Sequence, residues 1–291
     1  MTTIKTILAA ASGGSASAGA VEMGCRLARR FEAHIEGFHA KADPYDLFQY
    51  DAALGVNFDD AFIEKFTADA NEAAAKVRGQ FVAALGRHGM GLKRQPANAL
   101  PGAIGASADW RVETGYGPAL VARRARFFDL IVLGRSERVV EQVHSDAVEE
   151  TLTRSGRPVL LAPANPPDSV GERVVLGWNG SVEAVRAMIA ALPFFLTARE
   201  SFVVTIGDEH QDSARAAIDY LAWHDVRAKL LSVPARAGMG VGHQLLRAAT
   251  EEGADLLAIG GYGHMPWREF LFGGATREVI GASFMPVLLS H

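Results

Sequence analysis

The chain has 291 residues, 49% of them hydrophobic and 21% charged, with a formal net charge of −4; that is room for one large domain or two of ordinary size. The mildly acidic balance argues against a nucleic acid or an anionic membrane surface as the main partner. The single cysteine, Cys25, excludes an internal disulfide framework, and no C-x2-C pair offers zinc ligands, so a reducing, cytoplasmic setting is expected.

In chain order, the first twelve residues hold one lysine and a short apolar run that Ser12-Gly13-Gly14 breaks. The run is too short for a signal peptide core or for a membrane span of ~20 residues, and reads as a buried strand. A helix follows, with Val21, Leu27, Ala28 and Phe31 near one face. Residues 41–65 then interrupt the pattern with Tyr45, Phe48, Tyr50, Phe58 and Phe62 among acidic residues. With Phe66 just beyond, these aromatics read as core and lid of this half, or alternatively as the lining of an apolar pocket.

A strand at Phe128–Gly134 runs into Gly134-Arg135-Ser136-Glu137, another strand follows at Arg157–Ala162, and the Pro-rich run from Pro163 to Asp168 reads as a linker. Beyond it, strands are expected at 173–178, 200–206, 227–233, 255–259 and 286–290. Helices are expected at 181–195, 211–223, 240–252 and 274–282. In the first of these helices Val185, Met188, Ile189 and Leu192 fall near one face. Near-continuous apolar strands alternating with helices predict α/β architecture, a parallel sheet covered on both faces.

The chain is written twice. Phe128-Asp129-Leu130-Ile131-Val132-Leu133-Gly134 is echoed by Ala254-Asp255-Leu256-Leu257-Ala258-Ile259-Gly260, and Arg157-Pro158-Val159-Leu160-Leu161 by Met285-Pro286-Val287-Leu288-Leu289. From Asp to Pro the separations are 29 and 31 residues, so the layout is a tandem duplication.

The most informative stretch lies in the second copy. The run Leu256–Ile259 enters glycines at 260, 261 and 263, and Gly273-Gly274 then open a helical segment. Glycines between a strand and a helix N-terminus let backbone N–H groups converge on an anion, so the loop is a candidate phosphate cradle. Its spacing, G-x2-G-x9-G, is neither the Walker loop nor the dinucleotide fingerprint.

That spacing, set between a strand beginning Asp-Leu-Leu and one reading Pro-Val-Leu-Leu, resembles the signature of the universal stress protein family, and the duplicated layout resembles its tandem type across nearly the whole chain. The resemblance implies two Rossmann-like domains of the adenine nucleotide alpha hydrolase-like class, here 1–163 and 171–291. Each would carry a five-stranded parallel sheet with helices on both faces, and the two would pair as an intramolecular pseudo-dimer. It also implies a stress-response regulator that binds an adenine nucleotide, ATP with or without Mg²⁺, and not an enzyme. No carboxylate base stands beside the loop in the sequence, and hydrolysis would be slow and incidental.

The binding set it implies is Gly260, Gly263, Gly273, Gly274 and Thr276 around phosphate and ribose, flanked by Ile259 and Ala275, with Gly177, Asn179 and Ile206 near the base. Two positions depart from the family pattern: Asn179 where an Asp is usual, and Gly274 where a Ser or Thr is usual. In the first copy Glu137 replaces the second glycine and puts negative charge where phosphates would lie, so no ATP is expected there. The rival readings are a nucleotide-independent interaction or apolar-ligand module with an unknown protein partner, and an ATP-using hydrolase-class enzyme, of whose loop Ser12-Gly13-Gly14-Ser15 is only a fragment. A homodimer of tandem chains is left open.

Plainer roles are expected for several conspicuous residues. Trp267, Phe270, Leu271 and Phe272 read as packing for the loop, whereas Arg268 reads equally as a phosphate ligand or a solvated charge. Cys25 reads as a buried small side chain, and His210 and His224 as surface residues at helix ends. Ser12 and Ser181 read as N-caps.

Overall fold

A computed structural model describes residues 4–44, 59–93, 105–135, 142–261 and 274–291. The first half runs β1 (Thr6–Ala10), α1 (Ser15–Phe31), β2 (His34–Lys41), α2 (Asp60–Arg87), β3 (Ser107–Thr114), α3 (Gly117–Ala125), β4 (Leu130–Gly134), α4 (Gln142–Ser155) and β5 (Val159–Ala162). The second runs β6 (Arg173–Gly177), α5 (Val182–Phe195), β7 (Glu200–Ile206), α6 (Gln211–Ala222), β8 (Ala228–Val233), α7 (Val241–Glu251), β9 (Leu256–Gly260), α8 (Gly274–Ala282) and β10 (Val287–Ser290).

All ten strands form one sheet in the order β3-β2-β1-β4-β5-β10-β9-β6-β7-β8. Within each half every pairing is parallel, and the halves meet where β5 and β10 pair antiparallel. There Leu160 faces Leu288, while Val159 faces Leu289 and Leu161 faces Val287. Because Leu160 and Leu288 are each other's counterparts in the repeat, a pseudo-two-fold axis passes between them, the geometry of an isologous interface held within one chain.

Strand alternation supplies both cores. Ile7, Ala9 and Leu160 face one side under α1, α2, α5 and α6, and Leu8, Ile131 and Leu161 face the other under α3, α4, α7 and α8. Each core runs across the seam. On the first side Phe31 and Phe194 meet edge to face at 5.3 Å, and Arg26 and Arg30 donate to the linker carbonyls of Pro167, Val170 and Gly171. Gly19 has no room for a Cβ because Pro163 O lies against it, so the linker is seated along α1.

Three local expectations change. Residues 60–65 of the interrupting segment are the first turns of the 28-residue α2, capped by Asp59, whose side chain accepts from Phe62 N at 2.8 Å. Phe62 and Phe66 contact each other at 6.2 Å with Phe62 exposed; Tyr45, Phe48, Tyr50 and Phe58 lie outside the described residues.

In α5 the buried face is Ala184, Ala187, Met188, Ala191, Leu192 and Phe195, while Val185 and Ile189 are exposed. Small alanines let that helix approach the sheet closely and turn its larger β-branched residues outward. The third change is at α1, where Gly14, with no side-chain bond, occupies the N-cap, and Ser12 N instead donates to Ser17 Oγ at 2.7 Å.

Candidate functional site

The order reverses at β1/β4 in the first half and at β6/β9 in the second, and ligands of open parallel sheets bind beyond the strand C-termini at such points. At the second of these points β6 ends in Gly177 and the chain turns through Trp178-Asn179-Gly180-Ser181 into α5. Trp178 N donates to Val204 O at 2.8 Å, and its buried indole donates to Ser213 Oγ at 3.0 Å. Gly180 has φ +71°, a left-handed turn position that suits glycine. Ser181 caps α5 by accepting from Ala184 N at 3.1 Å, as its sequence position predicts.

Asn179 is exposed, and its Oδ1 accepts from Ser181 N at 3.1 Å, the turn that short amide side chains favour. One lone pair of Oδ1 is therefore engaged by the backbone, and the amide N–H₂ can donate to a ligand.

β9 ends in Gly260, against which the first turn of α5 is pressed. A Cβ at Gly260 would lie 2.6 Å from Glu183 C and 2.7 Å from Ala184 N. Gly134 is in the same position against Ala16 and Ser17 of α1. The glycine closing the fourth strand of each half thus admits a helix, whatever else its backbone does. This also places Glu183 next to Gly260, so an acidic residue does stand beside the loop, brought there by the fold from 77 positions away in the sequence. At the site's floor a Cβ at Gly177 would meet Leu245 Cδ2 at 2.6 Å and Ile259 Cγ2 at 3.0 Å; Gly177 and buried Ile259 are in contact.

Gly261 N donates to Ser290 O at 2.8 Å, and a Cβ at Gly261 would lie 4.0 Å from Leu152 Cδ1 of α4. Gly263 and Gly273, with Trp267, Arg268, Phe270, Leu271 and Phe272, lie outside the described residues. The chain re-enters at Gly274, which is exposed with nothing within 4 Å of a Cβ built there. Ala275 is half-buried, its carbonyl against Gly242 of α7. Thr276 is buried and its Oγ1 is 3.5 Å from Gly260 O; its hydroxyl ties α8 to the end of β9. Ile206 ends β7, half-buried in the core on the side of α7. The structure therefore gathers Gly177, Ile259, Gly260 and Thr276 at one strand end and sets Asn179 and Gly274 at its open rim.

In the first half Arg135 N donates to Ala162 O at 2.8 Å and its guanidinium reaches Met285 O at 3.5 Å, a contact across the seam. Glu137, Arg138 and their neighbours lie outside the described residues. Cys25 is fully buried, and burial, reinforced by Glu22, pushes its thiol up to about 12, the state of an inert structural thiol. His210 stands at the N-cap of α6, half-buried, and His224 is exposed just after that helix, ring to ring with Tyr220 at 4.7 Å. Among the described residues no group of three His, Cys, Asp or Glu side chains is placed to hold a metal, and no helix is long and apolar enough to cross a membrane.

No family model matches the sequence, and no curated protein matches it. Solved structures do match. A universal stress protein from Archaeoglobus fulgidus DSM 4304 aligns at TM-score 0.72 and 14% identity over 98% of this chain and 97% of that one. A protein of unknown function from Pseudomonas aeruginosa PAO1 aligns at TM-score 0.54 and 12% identity over 99% of this chain and 92% of that one. At such identities the likeness is one of fold, and it bears out the resemblance at that level: over nearly its full length this chain has the fold of a universal stress protein.

Proposed function

We propose that the protein is a regulatory binding protein of the stress response whose second half takes an adenine nucleotide, ATP, at the β6/β9 switch point. The observation that carries this reading is the helix start at Gly274. An exposed, side-chain-free N-terminus of α8 sits beside the end of β9, at the far end of a glycine-rich loop whose spacing matches the nucleotide signature. The N–H groups of a first helical turn and the positive helix end suit phosphate there. Asn179 at the opposite rim offers its amide N–H₂ to the base or ribose.

Titration calorimetry with Mg-ATP tests this reading. One ATP per chain is expected, and Gly274→Glu, which adds a carboxylate at the proposed phosphate position where no described atom lies within 4 Å of the new Cβ, should abolish binding while the thermal transition stays put. Undiminished affinity in that variant would sink the assignment.

A second reading, a nucleotide-independent interaction module, is favoured by the internal use of Asn179 Oδ1 and Thr276 Oγ1. It leads if wild-type protein takes up no ATP.

A further inference from the structure

The first half has a cavity of its own at the β1/β4 switch point, of about 210 Å³. We infer that it is a binding site for a small, uncharged, apolar molecule, an aromatic ring or a short aliphatic chain. The nucleotide reading of the second half is independent of it.

The walls decide the chemistry. They come from the ends of β1, β2 and β4 and from α3 and α4, among them Ala10, Phe38, Val121, Leu133, Ala147 and Val148. Among the described residues the polar side chains in the lining are Ser12 and Ser17, and none is charged. Ser17 is buried, and its Oγ already accepts from Ser12 N at 2.7 Å, which leaves its O–H to donate. An ion entering such a lining would lose its hydration with no charged side chain among the described residues to replace it, only the partial charges at the starts of α1 and α3. An apolar molecule gains by the area it removes from water, about 25 cal/mol per Å², and one hydroxyl or carbonyl on it could meet Ser17.

Volume narrows the class. The space is smaller than the ~300 Å³ at which drug-sized pockets begin. It exceeds the ~150 Å³ apolar cavity that accepts benzene. A triphosphate nucleotide does not fit this description in size or charge.

The matching strand end of the second half is filled differently. The counterpart of Ala10 is Gly177, and there Leu245 and Ile259 close over the strand end so tightly that a Cβ would strike them. In the first half Leu133 stands where Ile259 does, and a cavity lies beside Ala10 at the strand end.

The test is a titration of methyl-labelled full-length protein, followed by NMR, with indole and with 1-hexanol, and with hexanoate as the charged control. Saturable shifts at the Val121, Leu133 and Val148 methyls are expected for the neutral compounds, with hexanoate at least ten-fold weaker. Ala147→Phe and, independently on the opposite wall, Ala40→Leu should each weaken 1-hexanol at least ten-fold. Mg-ATP uptake should be unchanged in both. Absence of saturable shifts, shifts indifferent to both substitutions, or preference for hexanoate would overturn the inference. Loss of ATP binding through Gly274→Glu leaves it standing, because that variant reports only on the other half.

Discussion

Asp129 and Asp255, the conserved-looking acids of the repeat, do the same work at equivalent places far from either switch point. Asp129 Oδ2 accepts from Lys5 N and Thr6 N, both at 2.9 Å, and Asp255 accepts from Glu172 N at 3.1 Å and Arg173 N at 2.9 Å. Each carboxylate latches the entry of the first strand of its half to the entry of the fourth. Hydrogen bonds to a charged group contribute about 1.5–3 kcal/mol, so Asp129→Ala should destabilise by about that amount in urea unfolding and Asp129→Asn by less. Ligand binding at the opposite end of the sheet should be unaltered.

A second residue-scale effect concerns pH. Burial pushes the His34 imidazole below its ordinary value, against the pull of Asp109 and Glu36, while its Nδ1 lies 2.9 Å from Ser107 Oγ. The unfolded chain therefore takes up this proton first, at about pH 6.5. The contribution of neutral His34 is fully present above that pH and is lost as pH falls below it. His34→Gln should flatten the dependence of the unfolding midpoint on pH between about 5 and 7; parallel curves for both proteins would refute the linkage.

At the scale of elements, glycine separates two kinds of position. Gly79 lies on the exposed side of α2 with nothing within 4 Å of an added Cβ, so Gly79→Ala should stabilise by about 0.5–1 kcal/mol through helix propensity. Gly134 is pressed against the backbone of α1, and Gly134→Ala should cost about 1–3 kcal/mol by forcing helix and strand apart. Thermal melts of the two variants should move in opposite directions.

This distinction also marks what could be read in advance. The strands and helices of the second half were legible because their apolar runs are bounded by glycine, proline and charge; β7 and α8 fall where the pattern puts them. The face of α5 was not, because Ala184, Ala187 and Ala191 are weak in any hydrophobic pattern yet decide how close the helix lies. The packing role of Gly260 was hidden for the same reason, since it depends on Glu183 and Ala184, far away in the chain. The cap at Asp59 was a local signal for the start of α2, overshadowed by the aromatics before it.

For the whole molecule, the duplication was legible in the echo of Pro-Val-Leu-Leu and the pairing of halves was implied by the family resemblance, whereas the antiparallel register at the seam is a tertiary fact. Leu160 and Leu288 are both fully buried there, and the core under α1 and α5 runs through them from one half to the other. Leu160→Ala and Leu288→Ala should each lower stability by about 2–5 kcal/mol. Chemical denaturation should remain one transition by fluorescence and by circular dichroism alike; two separated transitions would show that the cores unfold independently.

Carrying both sides of a two-fold seam in one polypeptide has an evolutionary consequence. In a dimer of identical chains every substitution appears twice, so a change that improves one site alters the other with it. Here Ala10 and Gly177, or Glu137 and Gly263, are free to diverge so long as the pairing of β5 with β10 is kept. One chain can therefore change its two switch points separately within a single sheet, at fixed one-to-one dosage.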